Sequence, residues 1–260
     1  MQQICDDFET EADALDGIVS DDRADLDRPT PARGWSVGDQ ISHLWFFDQR
    51  AHLALIDPEA FLADAETLRA GIGSGTQFSV EPGRSMAANE LLDAWRTDRA
   101  RLIEVARDVD PATRVQWYGP PMGARSFITA RLMETWAHGQ DIVDALAVVR
   151  PATDRLRHVA HIGVAARPFS YVANGRQAPS EPVRVELCGP GGDVWTWGPD
   201  DAADRVSGDA LDFCLAVTQR RHLDDVSLAI EGAGAAEWMS IAQSFAGPPG
   251  PGRRPGQFQP

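Results

Sequence analysis

No lysine occurs in this chain of 260 residues, so all 24 of its basic side chains are arginine. That excludes Schiff-base and lysine-base catalysis, and the phosphate-binding loop that depends on a lysine. The absence itself reads as GC-rich coding bias. Cysteine is scarce as well: Cys5, Cys188 and Cys214 are far apart, odd in number and form no Cys-x-x-Cys pair. A zinc ribbon, a dithiol redox motif and a disulfide scaffold are therefore excluded, and a reducing cytoplasmic setting is expected. The start, Met1-Gln-Gln-Ile-Cys-Asp-Asp-Phe8, lacks the basic and apolar regions of an export signal. No stretch offers the roughly 18–20 uncharged apolar residues that a membrane span takes, so no membrane partner is expected. Clustered positive charge is missing too. With a formal net charge of -15 and no arginine cluster, no nucleic-acid partner is expected.

What is present is a 43% hydrophobic chain, enough for one large core or two smaller ones. The first 150 residues read as mainly helical. Ile4, Phe8, Ala12, Leu15 and Ile18 recur at helical spacing. A second helix opens at Ser36, a good N-cap with the acidic Asp39 at N3, and runs through His43 to Ile56 before Pro58. A short helical piece follows near Glu59 to Arg69, then a Gly71-Ile-Gly-Ser-Gly-Thr76 run that reads as a loop. A third long helix spans roughly Met86 to Val109, and a fourth follows the Tyr118–Gly123 turn and continues through Asp141 to Val149. Four long helices suggest a bundle, an architecture in which metal sites are built from facing helices.

After Arg150-Pro151 the character changes. A helix near Asp154 to Ala166 precedes a strand at Val183–Leu187, a turn at Gly189–Asp193 and a returning strand at Val194–Trp197. A helix near Gly208 to Arg221, a strand at Val226–Ile230 and a helix near Ala235 to Phe245 complete a small α+β domain. The expected division is therefore 1–150, 151–246, and a Gly/Pro-rich tail at 247–260 that is loosely ordered unless it docks.

Within the fourth helix, Glu134 and His138 are four residues apart. Four residues advance about 400° on an α-helix, so the two side chains stand on one face and offer two adjacent metal ligands. A Glu and His at this spacing also occur as an ordinary surface hydrogen-bonded pair. The favoured third ligand is His43, which lies beside an apolar face where an unpartnered imidazole is costly, with Asp39 one turn earlier. His52 is its rival on the same helix, but nine residues turn it to roughly the opposite face. A His, Glu, His set leaves an open coordination position, as catalytic zinc sites do. Asp141, three residues after His138, could orient a ligand from behind or serve as a solvated helix carboxylate. His158 and His161 also share a helix face, as a second polar site or as packing. Trp195 and Trp197 read as hairpin packing.

The runs Gly34-Trp-Ser-Val-Gly-Asp-Gln-Ile-Ser-His43-Leu and Glu134-Thr-Trp-Ala-His138-Gly-Gln-Asp141 resemble the DinB-like bundle of the mycothiol-dependent maleylpyruvate isomerase family. The resemblance implies an N-terminal DinB-like four-helix bundle followed by a small α+β, sterol-carrier-like C-terminal domain. It also implies a divalent metal on His43, Glu134 and His138, zinc first, with nickel, iron or manganese as alternatives. The cosubstrate it implies is a low-molecular-weight thiol such as mycothiol, activated as thiolate for transfer to, or isomerisation of, a small electrophile. Arg220, in the Thr-Gln-Arg-Arg stretch, best matches the family's carboxylate-pairing arginine, with Arg221 as the neighbouring candidate; an arginine answering a helix C-terminus is the plainer role. Asp39, Asp141 and His161 are expected to line or support the site. The closest likeness, in Arg157–Gly163, Leu211–Arg220 and Ala242–Gly250, is to an actinobacterial subgroup without an assigned reaction. A homodimer formed through helices is the expected assembly. The alternative is a metal-containing small-ligand-binding or regulatory module without catalysis. Wyosine-type tRNA modification, a label attached to similar C-terminal segments, is disfavoured by the acidic charge and the missing iron–sulfur cysteine spacing.

Overall fold

The computed structural model describes residues 1–71, 77–247 and 249–258, which fall into two compact units, Met1–Val149 and Arg150–Pro260. The first is helical. Helix α1 (Gln2–Val19) buries Ile4, Phe8, Ala12, Leu15 and Val19, the 3.6-residue stripe of its sequence with Val19 in place of Ile18. Helix α2 (Val37–Ile56) begins with the capping box foreseen: Ser36 Oγ accepts from Asp39 N–H, and Asp39 Oδ2 accepts from Ser36 N–H. It ends at Asp57, because Pro58 cannot continue the backbone ladder, and Pro58 opens α3 (Pro58–Gly71). Residues 72–76 of the expected loop lie outside the described residues. A short helix α4 (Glu81–Arg84) and the long α5 (Ala88–Asp108) follow. Two small strands, β1 (Arg114–Val115) and β2 (Met122–Gly123), pair antiparallel and deliver the chain into α6 (Ala124–Leu146).

Helix α2 packs on α5 and α6, and α1 packs on the same two helices. Their shared core includes Leu15, Ile41, Leu44, Leu91, Trp95 and Ile142, one or more from each long helix. Each such side chain contributes about 1.5–3 kcal/mol on burial, so this stripe outweighs the weak propensity of any single helix. Helix α6 is buried nearly all round. It stops at Leu146, with Ala147 in the left-handed region at φ 55, rather than running on to Val149.

In the second unit, α7 (Leu156–Ala165) and α8 (Arg167–Ala173) precede a four-stranded sheet. Strand β3 (Val183–Cys188) alternates as its sequence does, with Val183, Val185 and Leu187 buried. It forms the expected hairpin with β4 (Val194–Trp197), placing Leu187 opposite Trp195 and Val185 opposite Trp197. Strand β5 (Asp204–Asp209) runs parallel to β3 on its other side and antiparallel to β6 (Leu228–Glu231), giving the order β4-β3-β5-β6. The helix expected from Gly208 starts later: Asp209 ends β5 and caps α9 (Ala210–Val217) by accepting from Leu211 N–H. It also ends earlier, where Thr218 Oγ1 turns back to the Cys214 carbonyl and Gln219 adopts φ 58. A 3-10 turn (Leu223–Asp225) and α10 (Ala233–Ser240) complete the unit, α10 being shorter than the expected Ala235–Phe245. The described tail docks on this unit. Gly256 N–H donates to Asp225 Oδ1 at 2.8 Å, and the Arg221 guanidinium lies 4.5 Å from the Phe258 ring centre.

Candidate metal centre

Helices α2 and α6 bring His43, Glu134 and His138 together, with one potential ligand atom from each within 4.8 Å of the others. The His43 and His138 ring centres are 4.5 Å apart, and His138 Nε2 lies 3.3 Å from Glu134 Oε2. His138 is 9% exposed, while His43 and Glu134 are half-buried, so the cluster is partly accessible.

The outer nitrogens are held from behind. His138 Nδ1 is 2.6 Å from Gln40 Oε1, and Gln40 Nε2 donates to Thr30 Oγ1 at 3.0 Å. Thr30 Oγ1 in turn donates to the Trp35 carbonyl at 2.9 Å. This chain settles the tautomer. With the Thr30 hydroxyl proton committed to Trp35, Thr30 must accept from the Gln40 amide, so the Gln40 carbonyl oxygen faces His138 and Nδ1 carries the proton. His138 Nε2 faces Glu134 Oε2 at 3.3 Å, a contact that either a proton on the imidazole or a divalent cation between the two makes favourable. His43 is also held at its outer nitrogen, with Nδ1 3.0 Å from Ser79 Oγ, a hydroxyl that can donate or accept.

The segment carrying Ser79 is fastened to α2 by close approach. Gly83 N–H donates to Ser42 Oγ at 3.1 Å, and a Cβ at Gly83 would stand 2.5 Å from the Ser42 side chain. Only glycine lets α4 sit so near α2. On the other side, a loop closed by the Pro29–Ser36 bridge presents Trp35, whose ring stacks at 6.1 Å on His138 and tilts at 5.0 Å over His43. Phe47 meets His43 edge-on at 4.7 Å and continues into Trp117 and Tyr118. Aromatic faces thus flank the ligand cluster. The donor set of two imidazoles and one carboxylate, each imidazole bearing its outer hydrogen bond, fits a divalent cation.

The other expected site residues lie as follows. Asp39 sits one turn before His43, but its carboxylate is committed to the α2 cap and to Arg84, whose Nε and Nη2 each reach it at 2.8 Å. Asp141 is buried on α6. His52 is half-buried on α2 and belongs to no metal-ligand cluster among the described residues. In the second unit, His161 is exposed on α7 and receives the Trp197 indole N–H at 3.4 Å. Arg220 follows α9, is 9% exposed, and donates from Nη1 to the Thr218 carbonyl at 2.7 Å. Gln40, Ser79 and Trp35 are the site residues that sequence reasoning missed. For Gln40 a signal was present, since it lies three residues before His43 within the same quoted run.

An uncharacterized protein of Mycobacterium tuberculosis, found in two strains, is 47% identical over 251 residues, covering 95% of this chain and 96% of the relative. Among solved structures, the mycothiol-dependent maleylpyruvate isomerase superposes with a TM-score of 0.54 at 17% identity, over 88% of this chain and 92% of that one. A histidine-to-alanine mutant of that isomerase gives 0.55 at 16% identity. At such identity the likeness speaks for the fold, a helix-rich architecture with small sheets. A family model described as wyosine base formation matches residues 179–230 in the second unit. The model of the mycothiol maleylpyruvate isomerase N-terminal domain matches residues 8–143, from α1 into α6. That span contains all three clustered ligands and is just over half of the chain, which therefore belongs to the mycothiol-dependent maleylpyruvate isomerase family.

Proposed function

We propose that His43, Glu134 and His138 hold a divalent metal ion, zinc before nickel, iron or manganese, and that the protein is an enzyme joining a low-molecular-weight thiol to a small electrophile. The first unit is then a DinB-like four-helix bundle, and the second a sterol-carrier-like domain. The observation that carries this reading is the convergence of the three ligands with both outer imidazole nitrogens held, His138 by Gln40 and His43 by Ser79. When bound, such a metal lowers the pKa of a thiol at its open position and presents it as a nucleophile.

The chain's own residues supply the rest. Gln40 and Ser79 hold the outer imidazole nitrogens, which limits turning of both rings. Trp35 and Phe47 place apolar faces against the histidines and limit water there. No cysteine of the protein is needed: Cys5 and Cys214 are buried, and burial pushes both thiols above the ordinary range. A thiolate that adds to an activated double bond, allows rotation and then leaves completes an isomerisation with the thiol regenerated. Displacement of a leaving group completes an S-transfer. Arg220 is the proposed partner of a substrate carboxylate, and loss of turnover in Arg220→Ala with an unchanged metal content tests that role.

Metal analysis of the purified protein tests the base of the reading. Stoichiometric metal that His138→Ala abolishes is expected; substoichiometric metal unaffected by that substitution refutes it. Thiol added to the cobalt-substituted protein then separates the two functional classes. A new sulfur-to-cobalt charge-transfer band supports the enzyme, whereas a metal closed to thiols, azide and imidazole supports a structural metal in a binding module.

A further inference from the structure

One turn below the ligand cluster, the same two helices are joined a second time. Arg131 lies three residues before Glu134 and seven before His138, so it stands on the ligand-bearing face of α6. Its guanidinium crosses to α2. Nε and Nη2 donate to Asp48 Oδ1 at 3.1 and 2.9 Å, and Nη2 also reaches the carbonyl of Leu44, the residue after His43, at 3.4 Å. Asp48 Oδ2 accepts the Trp95 indole N–H of α5 at 3.2 Å. Both charged side chains are buried, Arg131 at 5% and Asp48 at 0% exposure.

A buried ion pair is a poor way to gain stability, since desolvation offsets most of the attraction and an apolar pair of similar volume often does as well. Burial pushes the Asp48 carboxyl above its ordinary range, although Arg131, Arg99 and Trp95 all pull it down. What such a pair does supply is register. Apolar ridges on α2 and α6 can slide and repack, whereas a fork that must meet one carboxylate and one named carbonyl has a single solution. The tolerance at the ligands is small. A slip of α6 by one turn, about 5.4 Å, exceeds the 4.8 Å span of the cluster.

We propose that the Asp48–Arg131 pair is the positioning device of the metal centre, fixing the register of α2 against α6 so that His43 meets Glu134 and His138. The inference rests on the reading of that cluster as a metal site. Trp95 is the third anchor, tying the same carboxylate to α5.

The test is cobalt(II) titration against a competing chelator, with the ligand-field spectrum as the readout of coordination geometry. Asp48→Asn keeps the shape and an acceptor for Trp95 but removes the charge that orients Arg131. It is expected to weaken cobalt binding by about 10- to 100-fold, the usual effect of losing an outer-shell partner, and to change the spectrum. Asp48→Leu with Arg131→Met restores an uncharged, packed crossing without the fork, and should keep the fold while leaving cobalt binding weak. Leu102→Ala, a buried α5 change outside the pair, controls for lost stability and should keep the wild-type spectrum and affinity. Wild-type binding and spectrum in Asp48→Asn overturn the proposal, as does an equal loss in Leu102→Ala. Should the double variant fail to fold, Asp48→Asn decides alone. A wild-type protein that binds no cobalt overturns both this proposal and the metal reading beneath it, while the outcomes above overturn this one only.

Discussion

Replacing Gln40 by leucine isolates what the outer hydrogen bond does for the metal centre. Gln40 is fully buried on α2, and leucine matches its bulk without either polar atom. The substitution strands His138 Nδ1–H, which now has its acceptor at 2.6 Å, and removes the donor to Thr30 Oγ1. An orphaned buried N–H costs about 1–3 kcal/mol. A loss of about 10- to 100-fold in metal affinity, typical for such partners, corresponds to about 1.4–2.8 kcal/mol. The two ranges overlap, so most of the orphaning cost should appear in metal binding. A ring released from Nδ1 can shed the cost by rotating, and rotation takes Nε2 away from Glu134. Gln40→Glu separates this account from simple repacking, because a carboxylate still accepts from Nδ1–H. Chelator competition should rank affinity as wild type and Gln40→Glu well above Gln40→Leu, with apo-protein melting recorded in parallel. Equal affinities for Gln40→Leu and wild type, or equal losses in the leucine and glutamate variants, would refute the tautomer argument.

Gly83→Ala places a Cβ 2.5 Å from the Ser42 side chain; it should destabilise by about 1–3 kcal/mol through overpacking. Metal affinity should fall with it, because the segment that moves carries Ser79, the partner of His43. Titration of both tyrosines in the native protein should be late: burial pushes Tyr118 up to about 12 and raises Tyr171 as well. Since these folded values lie above the unfolded one, their contribution to stability is complete below the ordinary tyrosine value of about 10 and is lost as pH climbs through the raised folded values, about 12 for Tyr118. Ultraviolet tyrosinate absorbance with denaturant midpoints checks this, and early ionisation in an intact fold contradicts it. A thiol reagent should modify the exposed Cys188 alone in the native state and all three cysteines after unfolding. More than one fast-reacting thiol in the folded protein would show that Cys5 or Cys214 is more open than its burial states.

Where local chemistry decides, sequence reading reached the structure. The Ser36–Asp39 box sets the start of α2 within four residues, so it was legible without knowing what α2 packs on. The same holds for Glu134 and His138, whose shared face is a property of one helix. His43 needed the further argument that an imidazole beside an apolar face requires a partner, together with the resemblance of its surrounding run. Strand β5 was not legible. Its sequence Asp-Arg-Val-Ser-Gly-Asp has one β-branched apolar residue, Val206, and becomes a strand because β3 and β6 flank it. Nor was the end of α6, where Val148 and Val149 continue the apolar pattern past a left-handed Ala147 that no glycine announces.

The residues that were missed share a physical reason. Gln40, Ser79 and Trp35 act on His138 and His43 across gaps between elements, where neither period nor propensity reports on distance. Even so, their roles are constrained by what the helix pair must accomplish. Two helices that supply ligands from opposite sides can present them only if each imidazole is prevented from turning and the helices are prevented from sliding. Gln40 and Ser79 meet the first need, and the Arg131 fork meets the second. Gln40, Asp48 and Arg131, buried at this crossing beside further polar residues such as Ser42 and Asp141, are thus groups that rotation and register demand. A half-satisfied polar group would cost more there than an apolar one, so their presence with partners in place is itself an argument that the crossing is built around the ligand cluster.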